Sequence, residues 1–252
     1  MRGILAAWFV STALSGVSGA SAAEIKVLTA GAFKPVVMAI VPEFEKQTGH
    51  QVLVQNDTAG AIVRRITGGE RFDLVVLTPA ALEQLGQAGK VSGTSVMRLA
   101  RVAIGVAVKA GASPPDISTV AAFQNTLLAA KAVAYIDPAA GGSSGIYLSG
   151  LFDKMGIGSQ IRSKAVLVPG GLVAERVVKG EADLALHQIS EILAVPGVTL
   201  VGPIPADIQN YTVYAGALGT QTPDTTAAQA FLKALGSPGA QAILKSKGME
   251  AP

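Results

Sequence analysis

The chain has no cysteine. That absence rules out disulfides, a thiolate nucleophile or metal ligand, and a cysteine-linked lipid anchor. Aromatic residues are 5% of the sequence against a hydrophobic share of 50%, so a core has to be built from Ala, Val, Ile and Leu. Basic residues exceed acidic ones by only three, and no basic run carries interleaved aromatics. Such a balance gives no footing for a nucleic-acid partner. Nothing downstream of the first 23 residues approaches the roughly 18 consecutive apolar residues that a spanning helix needs. Neither G-x-x-x-x-G-K-[ST], nor G-x-G-x-x-G behind a strand, nor H-E-x-x-H occurs, so no nucleotide, metal or other cofactor is expected.

What is present begins with a leader. Arg2 supplies the charge, Ile4 to Val10 the apolar heart, and Ala20-Ser21-Ala22-Ala23 the small-residue cleavage site of a signal peptide over residues 1–23. An exported, freely diffusing periplasmic protein is expected. Cleavage removes Arg2 alone among the charges, leaving 19 basic residues against 17 acidic.

The mature chain alternates strand and helix signals, which predicts an α/β architecture with mainly parallel sheets. Strands are expected at 25–29, 52–55, 72–77, 102–108, 133–136, 165–168, 182–187, 199–201 and 211–218. Pro35, Pro79 and Pro238 sit where a helix's first turn tolerates the missing N–H, and Thr58 and Ser118 are candidate N-caps. Two apolar stretches, RVAIGVAVKA and YTVYAGALGT, read as crossings between lobes. They divide the chain into one lobe of residues 24–105 plus 213–252 and another of 106–212, with a cleft at the strand C-termini.

Three strand-to-helix loops of glycine, alanine and hydroxyl residues would face that cleft. They are Thr29-Ala30-Gly31-Ala32, Asp57-Thr58-Ala59-Gly60 and Gly141-Gly142-Ser143-Ser144-Gly145. A helix N-terminus offers unpaired N–H groups and the positive end of the dipole, so each is a place for a small anion. The third loop also fits G-x-S-x-G, the nucleophile elbow of hydrolases. An elbow needs its serine directly on the strand-to-helix turn, whereas Asp137-Pro138-Ala139-Ala140 intervenes here.

On the strength of these loops and of the segments TAGAIVRRITGGERFDLVVLTP, IDPAAGGSSGIYLSGLFDKMGI and VPGGLVAERVVKGEADLALHQISE, the chain resembles the periplasmic solute-binding proteins of the molybdate-binding type. The resemblance covers essentially the whole mature chain. It implies the two-lobed, type II binding-protein fold, and the two crossings with the cleft between them predict a monomer whose lobes close on the ligand. It also implies a small anionic ligand, delivered to the membrane component of an ABC-type transporter. By the family's pattern, ligand contacts would come from Thr29, Ala30, Gly31 and Ala32, from Thr58, Ala59 and Gly60, from Ser143, Ser144 and Gly145, and from Gly170. Where the family's molybdate binders carry a tyrosine three residues before an acidic residue, this chain has Gln188 and Glu191. That exchange, with Thr29 where a serine is usual, points to a different anion such as an organic carboxylate.

The divergent branch of the family is also similar to periplasmic aconitate isomerase, which interconverts cis- and trans-aconitate. An allylic proton shift needs an acid or base near the bound carbon. By chemistry the candidates are His187, Glu191 and Asp137. The plainest reading of His187 is a strand-end histidine satisfied by a neighbouring backbone group, with Leu184 and Leu186 on one face of its strand and Asp183, Ala185 and His187 on the other. Arg64 and Arg65, opposite and flanking the apolar face of their helix, read as a solvated pair.

Overall fold

A computed structural model describes residues 22–252; all but the end of the expected signal segment lies outside them. Among the described residues ten strands form two five-stranded sheets. The first has the order β2-β1-β3-β10-β4, from β1 (Glu24–Ala30), β2 (Gln51–Asp57), β3 (Leu74–Leu77), β4 (Met97–Val102) and β10 (Thr212–Leu218). The second has the order β7-β6-β8-β5-β9, from β5 (Ile104–Lys109), β6 (Val133–Ile136), β7 (Ala165–Val168), β8 (Leu184–Gln188) and β9 (Val198–Pro203). The helices are α1 (Lys34–Thr48), α2 (Ala59–Thr67), α3 (Pro79–Gln87), α4 (Val120–Ala129), α5 (Ser143–Lys154), α6 (Gly158–Arg162), α7 (Glu175–Val178), α8 (Ile189–Ile192), α9 (Thr225–Leu235) and α10 (Pro238–Ser246).

The α/β expectation holds, but the sheets are mixed rather than mainly parallel. In each, three strands run parallel and a fourth lies antiparallel between them and the edge strand: β10 between β3 and β4, β5 between β8 and β9. The physical reason is the crossing. A strand that returns from the other lobe enters from the opposite end, and its ladder is then satisfied only by antiparallel neighbours. The expected single strand at 102–108 is two strands, broken at Ala103, with β4 in one sheet and β5 in the other. The polar residues Arg98 and Arg101 hide β4 from hydropathy. Arg101 is held at the edge by Glu250, with Nη2 2.7 Å from its carboxylate, and lies over the Tyr211 ring.

Local signals place the helix starts. Pro35, Pro79 and Pro238 occupy first-turn positions of α1, α3 and α10, and Thr58 caps α2 by accepting from Ala61 N. Helix α4 is capped by Thr119, one residue beyond the expected Ser118. Cores built from aliphatic side chains lie under both sheets. In β8, Leu184 and Leu186 join the cluster of Phe123, Tyr135 and Phe152, whereas Ala185 joins that of Val168, Val177 and Ile192, as strand alternation requires. Among the described residues no helix is long and apolar enough to cross a membrane.

Candidate functional site

Strands β1, β2, β6 and β8 end at one seam between the lobes. Around it closes a cavity of about 30 Å³. Ala30, Gly31 and Ala32 line it from the end of β1, and Asn56, Asp57, Thr58 and Ala59 from the end of β2. The opposite wall comes from Ile136, Gly142, Ser143 and Ser144 around the start of α5 and from Gly171. His187 and Gln188 end β8, Glu191 lies in α8 just beyond it, and Tyr214 stands on β10.

The three anion-type loops meet here with different fates. At α2 the Thr58 hydroxyl and the Gly60 and Ala61 N–H groups are already engaged. The Thr58 hydroxyl donates to Ala140 O at 2.6 Å while accepting from Ala61 N, and Gly60 N donates to Gly141 O at 3.0 Å. Gly60 and Gly141 touch so closely that a Cβ on Gly60 would lie 2.8 Å from Gly141 Cα. Arg64, expected in solvent, reaches Ala140 O at 3.4 Å, and Arg65 is bound by Glu70 at 2.6 Å. This loop therefore docks one lobe on the other. Ala30 before the first loop's 3-10 turn and Gly142 before α5 make no side-chain cap. Their helix starts line the cavity without one, which leaves them to an anion.

The cavity's acid and base are buried together. His187 Nε2 lies 3.1 Å from Glu191 Oε2, and the two side chains are 2% and 10% exposed. Burial pushes the Glu191 carboxyl up to about 8 and the His187 imidazole down to about 3. Both shifts favour the uncharged forms, so the 3.1 Å contact is not read as an ion pair. His187 Nδ1 is the one fully buried side-chain polar atom without a partner among the described residues. A histidine satisfied by the backbone, the plainest expectation, is not what the fold makes. The second carboxyl oxygen lies over the first loop, where a Cβ on Gly31 would come within 2.5 Å of Glu191 Oε1. Only glycine at that position leaves room for the acid.

Gln188 is nearby but occupied. Its Nε2 donates to Ser143 Oγ at 2.9 Å and Thr212 Oγ1 at 3.1 Å, and its Oε1 accepts from the Tyr214 hydroxyl at 2.8 Å. Both amide hydrogens are used, so Gln188 joins the lobes instead of offering a free donor. A tyrosine hydroxyl is nevertheless at the cavity. Tyr214 supplies it from a different strand, and burial holds its phenol well above its usual range. Thr212 and Tyr214 are two residues apart on β10 and so face the same way; that alternation is the signal in the sequence that would have found them.

Other expected residues stand behind the cavity wall. Thr29 is fully buried with its hydroxyl donating to Ala30 O at 3.1 Å. Gly145 packs its Cα against Ile136 O, and a side chain there would collide with that carbonyl. The Asp137 carboxylate accepts from Ala139 N at 2.9 Å and so holds a turn, away from His187 and Glu191. Gly170 lines an adjoining chamber that shares Gly31, Asn56, Gly171 and Glu191 with the cavity. Asn56, Asp57, Ile136, Gly142, Gly171 and Tyr214 line the cavity and were not expected from the family pattern.

Comparison with known proteins identifies the family and the fold. The family model described as bacterial extracellular solute-binding protein matches residues 25–250. The chain is 36% identical over 232 residues to an aconitate isomerase of Pseudomonas sp., covering 90% of this chain and 87% of that one. The solved Azotobacter vinelandii periplasmic molybdate-binding protein superposes with a TM-score of 0.76 at 21% identity, covering 90% of this chain and 99% of that chain. The sulfate-binding protein SubI of Mycobacterium tuberculosis gives 0.72 at 19% identity, covering 91% and 87%. At those identities the two solved structures show the two-lobed fold alone.

Proposed function

As the chain belongs to the family of bacterial extracellular solute-binding proteins, we propose that it closes its lobes on a small organic carboxylate and catalyses an allylic proton shift in it, the interconversion of cis- and trans-aconitate. The observation that carries this reading is the buried His187–Glu191 pair on the cavity wall. A receptor needs only neutral donors around its anion. Here an acid and a base lie 3.1 Å apart at the same wall, and burial favours the neutral form of the acid, which does not repel the ligand.

In the proposed reaction a proton leaves the methylene carbon, the double bond moves by one position, and a proton returns to the former vinyl carbon. Nothing is gained or lost overall. Glu191 faces the first loop with Oε1 and exchanges the proton; His187, behind it, accepts and returns it through Nε2. The uncapped starts of the first loop and of α5 hold the carboxylate and the charge that spreads onto it in the dienolate-like transition state. The likeness to an aconitate isomerase over nine-tenths of the chain supports the choice of substrate.

A second reading keeps the protein a periplasmic receptor, a monomer that hands its anion to an ABC-type transporter. The family and the two-lobed fold favour it. Proton NMR of the purified protein with cis-aconitate, and separately with trans-aconitate, decides between them. Conversion of either isomer to the same equilibrium mixture supports the isomerase. Saturable binding with both isomers unchanged leaves a receptor.

A further inference from the structure

The inner cavity is too small for a six-carbon acid. Its volume of about 30 Å³ compares with the roughly 10–15 Å³ that one water requires, so it takes a single carboxylate and little else. Beside it opens a chamber of about 530 Å³, separated by no wall of its own: Gly31, Asn56, Gly171 and Glu191 line both spaces. Each lobe contributes a cation to that chamber, Lys34 from the first residue of α1 and Arg176 from α7. Among the described residues Lys34 has no carboxylate within 4 Å. Arg176 is anchored through Nη1 to Glu181 at 2.9 Å, which fixes the guanidinium and leaves its remaining N–H groups. The carboxylate of Glu175, also at the chamber, stands 4.0 Å from Lys179. Pro35, Met38 and Leu172 give the chamber an apolar side against which a carbon skeleton can lie.

We infer that this chamber is a second anionic subsite, in which Lys34 and Arg176 take a distal carboxylate while the inner cavity takes the one next to Glu191. The ligand is then a di- or tricarboxylate lying across both spaces. This rests on the carboxylate reading of the site above and adds to it what selects polycarboxylates over simple anions. Because the two cations belong to different lobes, the distal carboxylate also draws the lobes together.

Calorimetry with tricarballylate, succinate, acetate and sulfate tests the inference on the parent protein, on Lys34→Met and on the Lys34→Met/Arg176→Met double variant. Tricarballylate is expected to bind the parent at least about tenfold more tightly than acetate or sulfate. The double variant is expected to lose about tenfold or more of that affinity, with acetate and sulfate unchanged. Lys34→Met, at an exposed position, is expected to show a smaller loss in the same direction. Equal losses for all four probes, no loss for tricarballylate, or no tricarballylate binding to the parent would each overturn the subsite. Turnover of cis-aconitate, followed separately, keeps the two readings apart. Binding that depends on Lys34 and Arg176 without turnover sinks the isomerase and leaves the subsite standing. Turnover with an unchanged KM in the double variant does the reverse.

Discussion

Two of the loops that open helices at the seam share a signature and differ in use. At the start of α2, Thr58 and Gly60 give their hydroxyl and N–H to Ala140 and Gly141 of the other lobe. In the 3-10 turn ahead of α1, Gly31 carries the Glu191 carboxyl over its Cα. The same Gly/Ala/hydroxyl chemistry thus makes a docking contact in one place and a cavity wall in the other. The difference lies in what stands opposite. The Ala140 and Gly141 carbonyls engage the Thr58 hydroxyl and the Gly60 N–H of the first, whereas a buried acid and open space face the second. Anion-type loops report a capacity to donate, and the neighbouring lobe decides whether that capacity is already filled.

The contrast can be broken from the reactive side first. Glu191→Gln is expected to lower turnover of aconitate by about 10²- to 10⁴-fold while changing its dissociation constant by less than about tenfold; a variant with parental turnover would remove Glu191 from the chemistry.

The same variant sharpens the electrostatic side. In the unfolded chain Glu191 ionises from about its ordinary 4.5, but in the folded chain it keeps its proton up to about 8. Its contribution to stability is therefore full below 4.5 and is lost as pH rises towards 8. His187 acts oppositely: the unfolded imidazole gains a proton below 6.5 and the folded one not until about 3, so stability falls as pH drops through that range. Melting curves of Glu191→Gln should lack the decline between pH 6.5 and 8 and keep the acid-side decline. Parallel curves for parent and variant across pH 6.5 to 8 would contradict the assignment.

Two glycine substitutions compare the loops directly. Gly31→Ala places a methyl 2.5 Å from Glu191 Oε1, and displacing the acid is expected to cost about 10- to 100-fold in turnover. Gly60→Ala places one 2.8 Å from Gly141 Cα, and is expected to loosen lobe closure by about 1–3 kcal/mol without changing the acid–base pair. Small-angle scattering reads the second effect as a larger radius of gyration. If Gly31→Ala expands the protein and Gly60→Ala impairs turnover at saturating ligand, the two roles have been exchanged. The smallest change expected is that of Thr58→Val. Losing one hydroxyl that caps α2 and bridges the lobes should lower stability by about 1 kcal/mol, with ligand affinity altered only through closure.

Much of this molecule is written locally. Alternating strand and helix signals, first-turn prolines and the Thr58 cap are settled within a few residues, because a turn of helix or a step of strand is stabilised by neighbours in the chain. The sequence by itself therefore determined the α/β class, most of the elements and the three donor loops. Only the tertiary structure decided what those loops do. Thr58 meets Ala140 across 82 positions, and Gln188 meets Tyr214 across 26, contacts that no local pattern encodes. Burial made a neutral acid–base pair of His187 and Glu191, and it acts through the whole packed environment rather than through spacing. Which donors stay free, which acid keeps its proton and which tyrosine reaches the cavity were fixed when the two lobes met, since each depends on the atoms brought opposite.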